Sequence, residues 1–142
     1  MTVAIVAAIF CAITCGAIAL LHAYWALGGR IGKFAALPEQ DGKPVFLPSK
    51  FATWLVAIAL AFASLVALRA GDLIYSSFLN SRISHWFCLG MAIIFLLRAI
   101  GDFKLVGFGK KVRGTQFARQ DTLYYSPLCV LLSLGFFAVG FS

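Results

Sequence analysis

Arg98 lies four residues before Asp102, and Asp121, Tyr125 and Ser126 fall within a second short stretch. His22 stands near the end of a long apolar run, followed by Tyr24 and Trp25. These are the residues whose types and spacing suit chemistry. An Arg–Asp pair at i,i+4 shares one helical face, so Arg98 and Asp102 can pair directly. Asp121 offers a second carboxylate, to Arg98 or to His22. A guanidinium beside an imidazole and a phenol binds an anionic group, and His22 with Asp121 suits proton transfer. Ionisable groups inside apolar stretches are costly, face a protein interior and pair. The plainer alternative is that Arg98 snorkels to lipid headgroups and the carboxylates only end helices.

Other chemistries are less favoured by spacing. The two histidines, His22 and His85, belong to opposite ends of their helices. They should stand roughly 15 Å or more apart along a helix axis rising 1.5 Å per residue, too far to ligate one haem or metal together. Cys11, Cys15, Cys88 and Cys129 form no C-x-x-C pair and no Cys–His cluster, so they read as small apolar core residues. Gly107-Phe108-Gly109-Lys110-Lys111 lacks phosphate-loop spacing. No serine sits in a nucleophile elbow. The expectation is therefore no catalytic residue, no metal and no cofactor.

The elements that must position these residues follow from composition. The chain has 142 residues, of which 62% are hydrophobic and 12% charged. A soluble domain is about 45–50% apolar and about 25% charged. An integral membrane protein fits; a soluble enzyme, a disordered chain or a disulfide scaffold does not. A helical crossing needs about 20 apolar residues. Four runs qualify: Val3 to Leu27, Phe51 to Leu68, Ile83 to Ile100 and Thr122 to Phe141. Backbone groups in hydrocarbon must pair within their own segment, so each run is expected to be a helix. The first has no basic residue before it and exceeds a signal-peptide core, so it is expected to remain as a helix. The predicted fold is one all-α integral membrane domain over 1–142, with four transmembrane helices in an antiparallel bundle.

The net charge of +7 reports orientation rather than nucleic acid. Arg30, Lys33, Lys43 and Lys50 lie in the first connection, and Lys104, Lys110, Lys111, Arg113 and Arg119 in the third. Arg69 and Arg82 alone flank the second. Cytoplasmic loops are rich in Lys and Arg, so loops 1 and 3 should be cytoplasmic and both termini outside. Loops of this length are often functional, and these two read either as solvated connectors or as a cap over the inner mouth. Ser49 is placed to cap the second helix. Ala4, Ala8, Ala12 and Gly16, and then Ala59, Ala63 and Ala67, form small-residue stripes of the kind that pack membrane helices. Tyr24, Trp25, Trp54, Tyr124 and Tyr125 sit at the expected inner interface, where aromatic rings anchor.

Three stretches carry a resemblance. His22-Ala23-Tyr24-Trp25-Ala26-Leu27-Gly28-Gly29 resembles an H-x-Y-W-x-x-G-G signature. Arg98 to Phe103 and Asp121 to Pro127 resemble its two companions. Together they are similar to a family of small bacterial membrane proteins, domain of unknown function 3995. The resemblance implies four helices and a bacterial cytoplasmic (inner) membrane, and no known activity, substrate or cofactor. All three stretches fall at the inner ends of helices.

The expected site is thus a cytoplasm-side pocket formed by His22, Tyr24, Trp25, Arg98, Asp102, Asp121, Tyr125 and Ser126. The leading function is a non-enzymatic bundle binding a lipid headgroup or small amphiphile, with Arg98 on the anionic group and Trp25 on the apolar part. The alternatives are an accessory subunit of a larger membrane complex and a small membrane enzyme or transporter. Expected partners are membrane lipids and a second copy or a larger complex; nucleic acid is not among them.

Overall fold

The computed structural model describes residues 3–142. Four helices are long and apolar enough to cross a membrane. They are α1 (Val3–Ala26), α2 (Lys50–Ala70), α3 (Ser81–Ile100) and a composite fourth helix (Gln116–Gly140). The fourth comprises α4 (Gln116–Gln120), a wide π turn (Asp121–Tyr125) and α5 (Ser126–Gly140). Neighbours pack in the ring order α1, α2, α3, α5. The long connections, 27–49 and 101–115, lie at one end of the bundle, and the short connection 71–80 lies at the other.

The starts of the helices follow capping chemistry. Ser49 accepts a bond from the Ala52 N–H, as its position after Pro48 suggests. Asn80 caps α3 through the Arg82 N–H, and Thr115 caps α4 through the Ala118 N–H. The fourth helix starts at Gln116 rather than at Thr122. Its first five residues, QFARQ, are polar enough to end an apolar run but not to end a helix. A crossing needs about 20 residues, and this helix has 25. Gln116–Gln120 therefore adds a polar first turn to the apolar run, with Phe117 and Ala118 buried against the protein.

The π turn has a local cause. Pro127 has no N–H to give to the carbonyl four residues back, and its ring crowds that carbonyl. The turn ahead of it widens instead, and the Ser126 N–H reaches Asp121 O, five residues back. The wide turn carries residues five apart onto nearly one face. Asp121 and Ser126 are accordingly both fully buried.

Small residues let the backbones approach. Ala8 and Ala12 of α1 and Ala63 and Ala67 of α2 are buried in the core, whereas Ala59 stays exposed. Ser64 Oγ donates to Ala12 O, and Ser133 Oγ donates to Ala92 O, each at 2.8 Å. Such bonds between membrane helices contribute about 0.6 kcal/mol on average. Gly135 lets α5 close on α1, because a Cβ there would meet the Cys11 sulfur at 2.6 Å. Phe95 and Phe136 stack across the α3–α5 seam at 5.7 Å.

One element departs from an all-helical reading. Residues Glu39–Gln40 (β1) and Lys43–Pro44 (β2) form a minimal antiparallel hairpin with Glu39 opposite Pro44. Its turn is Asp41-Gly42, both with positive φ (53° and 75°), the conformation of a type I′ turn.

Candidate functional site

Asp121 is the centre of the polar structure at the long-loop end. Its Oδ1 accepts a bond from Arg98 Nη2 at 2.9 Å. Its Oδ2 accepts from Lys110 Nζ at 3.0 Å and from the Gly107 N–H at 2.8 Å. Lys110 is only 4% exposed. Its three protons go to Asp121, Gly107 O and Thr122 Oγ1, the last at 2.7 Å. Two cations thus share one carboxylate, leaving the triad with a net charge of +1. Arg98 Nη1 and Ser126 Oγ are buried without a partner.

The third loop is folded to deliver Gly107 and Lys110 to this carboxylate. Gly101 ends α3 at φ +87° and Gly107 turns at φ +82°. A Cβ on Gly101 would run into the Val106 carbonyl, so the two glycines are what let the loop close on itself. The returning chain also satisfies the end of α3. Phe108 N–H donates to Ala99 O and Gly109 N–H to Ile100 O, carbonyls that a helix terminus otherwise leaves orphaned.

The Arg98–Asp102 pair expected from i,i+4 spacing does not form. That rule needs both residues on a continuing helix, and α3 stops at Ile100. Asp102 instead accepts three bonds at one oxygen from the N–H groups of Lys104, Leu105 and Val106, at 2.9, 2.7 and 3.0 Å. Desolvation opposes its ionisation, but these backbone donors outweigh it and hold the carboxyl below its usual range. Asp121, the alternative partner for Arg98, is the one that pairs with it.

The other expected residues brace the first loop. His22 Nδ1 lies 2.8 Å from Ile18 O in its own helix, and its ring meets Trp25 edge-on at 5.0 Å. Trp25 Nε1 donates to Ile31 O at 2.8 Å. Tyr24 is partly exposed, with its ring lying over Gly29. Tyr125 donates its hydroxyl proton to Ala35 O and packs on Phe117. Among the described residues no hydrogen bond or ion pair joins His22 to Arg98 or Asp121. No group of three His, Cys, Asp or Glu among the described residues is placed to hold a metal ion.

Sequence reasoning missed Glu39, whose Oε1 accepts from the N–H groups of Gln116 (2.6 Å) and Phe117 (3.3 Å). It thereby ties the first loop to the start of the fourth helix. The role of Lys110 was not visible either, since it reads as one basic residue among several and as part of a run that lacks phosphate-loop spacing. The glycine-rich run around Lys110 shows that the chain can turn tightly there, and carries no sign that the lysine is buried.

Beside the triad lies an open cleft of about 600 Å³. Lys110, Arg113, Arg119 and Thr122 line it, with Phe108 and Leu123 among its apolar residues. No carboxylate lines it. Asp121, its near neighbour, is already committed to Arg98 and Lys110.

Four apolar helices joined by basic loops define a multi-pass membrane protein. The chain belongs to the family described as protein of unknown function (DUF3995), whose model matches residues 15–136. That span includes His22, Arg98, Asp121 and the cleft. No curated protein and no solved structure matches the chain.

Proposed function

We propose that the protein is a non-enzymatic membrane bundle that binds the anionic headgroup of a lipid, or a similar small amphiphile, at its long-loop end. The observation behind this reading is the cleft bordered by Arg113 and Arg119, with no acid among its lining residues and with Lys110 in its wall already held by Asp121. Arg113 and Arg119 are exposed, and guanidinium groups match phosphate oxygens two at a time. Arg119 lies in the polar first turn of the fourth helix, ahead of its apolar run, a position that suits a site at headgroup depth. Phe108 and Leu123 offer an apolar wall for the start of an acyl chain. Arg98 then acts at one remove, since it holds the carboxylate that fixes Lys110.

In this reading the long-loop end faces the cytoplasm of a bacterial cell, because ten of the twelve basic residues lie in or within four residues of the two long loops. Native mass spectrometry from nanodiscs of phosphatidylcholine and phosphatidylglycerol tests the binding. The wild type should retain phosphatidylglycerol several-fold over phosphatidylcholine, and Arg113→Ala/Arg119→Ala should lose that preference. A wild type that retains neither lipid, or a double variant with unchanged preference, overturns the reading.

A further inference from the structure

Segment 27–49 has an inner and an outer face. Its inner face is fastened to the bundle at three places: Ile31 O to Trp25, Ala35 O to Tyr125, and Glu39 to the start of the fourth helix. Leu37 and Pro38 are buried beneath it. Its outer face is apolar nonetheless. Ile31 is 80% exposed, Leu47 69%, Phe34 59% and Phe46 54%. A folded loop held at these three places presents those side chains outward, and exposed large apolar side chains gathered on one segment suit an interaction surface.

We infer that this segment is a plate lying in the membrane interface, with Ile31, Phe34, Phe46 and Leu47 inserted among lipids and Arg30, Lys43 and Lys50 against anionic headgroups. The occupant follows from continuity and charge. Leu47 leads within four residues to Phe51, the start of the exposed lipid-facing side of α2, and Leu27 and Ile31 continue the exposed side of α1. The exposed apolar residues of the segment thus follow in sequence on those of the spans, with exposed Arg30, Ser49 and Lys50 interleaved at the junctions. The segment with Lys50 carries four basic residues against Glu39 and Asp41, and Glu39 is occupied in capping the fourth helix. What remains exposed beside the apolar side chains is mainly positive, which suits an anionic lipid surface. This plate is separate from the cleft at Arg113 and Arg119 and stands whether or not that cleft binds a headgroup.

Spin labels test it on the full chain. Cysteine is placed singly at Phe46, Leu47 and Asp41, with unsubstituted protein labelled in parallel as background, in vesicles of phosphatidylcholine and phosphatidylglycerol (3:1). Labels at 46 and 47 should be several-fold more accessible to oxygen, relative to an aqueous nickel chelate, than the label at 41 on the hairpin turn. Replacing phosphatidylglycerol with phosphatidylcholine, or Lys43→Glu, should reduce that ratio. Equal ratios at all three sites would mean a water-bathed loop and overturn the inference. Shielding of 46 and 47 from both reagents would mean a protein cover and overturn it equally.

Discussion

Arg98 and Asp121 are 23 residues apart in sequence, and their side chains are joined by a 2.9 Å bond from Nη2 to Oδ1. The same carboxylate takes Lys110 and the Gly107 N–H on its other oxygen. One fully buried side chain therefore fastens the end of α3, the third loop and the start of the fourth span to each other. Lys110 and Thr122, which bond each other at this fastening, also line the cleft at Arg113 and Arg119.

Removing that carboxylate should be severe. Asp121→Ala leaves Lys110 buried with its charge uncompensated, a loss of about 3–5 kcal/mol. Arg98→Ala leaves Asp121 two of its three donors and should cost about 1.5–3 kcal/mol. Equilibrium unfolding in mixed micelles checks the order. Equal stability of Asp121→Ala and wild type would contradict the role given to Asp121.

The third loop should depend on Gly101 for reasons of space as well as conformation. Gly101→Ala places a Cβ in the Val106 carbonyl at a positive φ. Gly114→Ala imposes a similar backbone strain, at φ +89°, but meets nothing within 4 Å. The second should cost about 1–2 kcal/mol and the first clearly more. Thermal unfolding of the two variants side by side decides this, and equal loss in both would remove the close approach from the explanation.

The apolar spans were legible in the sequence because their signal is a run, and a run survives any detail of packing. Ser49 was legible as a cap for the same local reason. The fourth start, at Gln116 instead of Thr122, was hidden because polar residues can continue a helix through the headgroup layer. The hairpin at Asp41-Gly42 has a local signature that is easily passed over in a chain dominated by apolar runs. Arg98–Asp121 was visible as one of two pairings, and the choice between them turned on Gly101, which ends α3 before Asp102 can join it. Lys110 was least legible, since nothing local distinguishes a buried lysine from one that merely marks orientation. His22, Tyr24, Trp25 and Tyr125 share a depth in the chain but serve the first loop.

Glu39 should act as a latch between the two long loops. Glu39→Ala frees the Gln116 and Phe117 N–H groups and should cost about 0.5–2 kcal/mol, as loss of a helix cap does. Hydrogen exchange should quicken at 116–117 and across the 34–45 segment while the centres of the spans stay protected. Unchanged exchange in that segment would show that Trp25 and Tyr125 hold the loop unaided.

The pH response of the third loop follows from Asp102. Its carboxyl is held below the usual range because three backbone donors, outweighing desolvation, favour the charged form. A depressed folded-state pKa means the contribution is complete above the unfolded value, near 3.9, and is lost as pH falls through the folded value. Amide proton shifts of Lys104, Leu105 and Val106 should thus move together as pH falls, with a midpoint below the unfolded value. A midpoint above the unfolded value would contradict the bonding at Asp102.

The central claim is a headgroup site between the third loop and the fourth helix. Photocrosslinking with a phosphatidylglycerol analogue carrying its reactive group near the headgroup, followed by peptide mapping, tests it most directly. Crosslinks should concentrate between Phe108 and Leu123 and be competed by unmodified phosphatidylglycerol but not by phosphatidylcholine. Crosslinks spread evenly over the exposed faces of all four helices, with no enrichment beside Arg113 and Arg119, would contradict it.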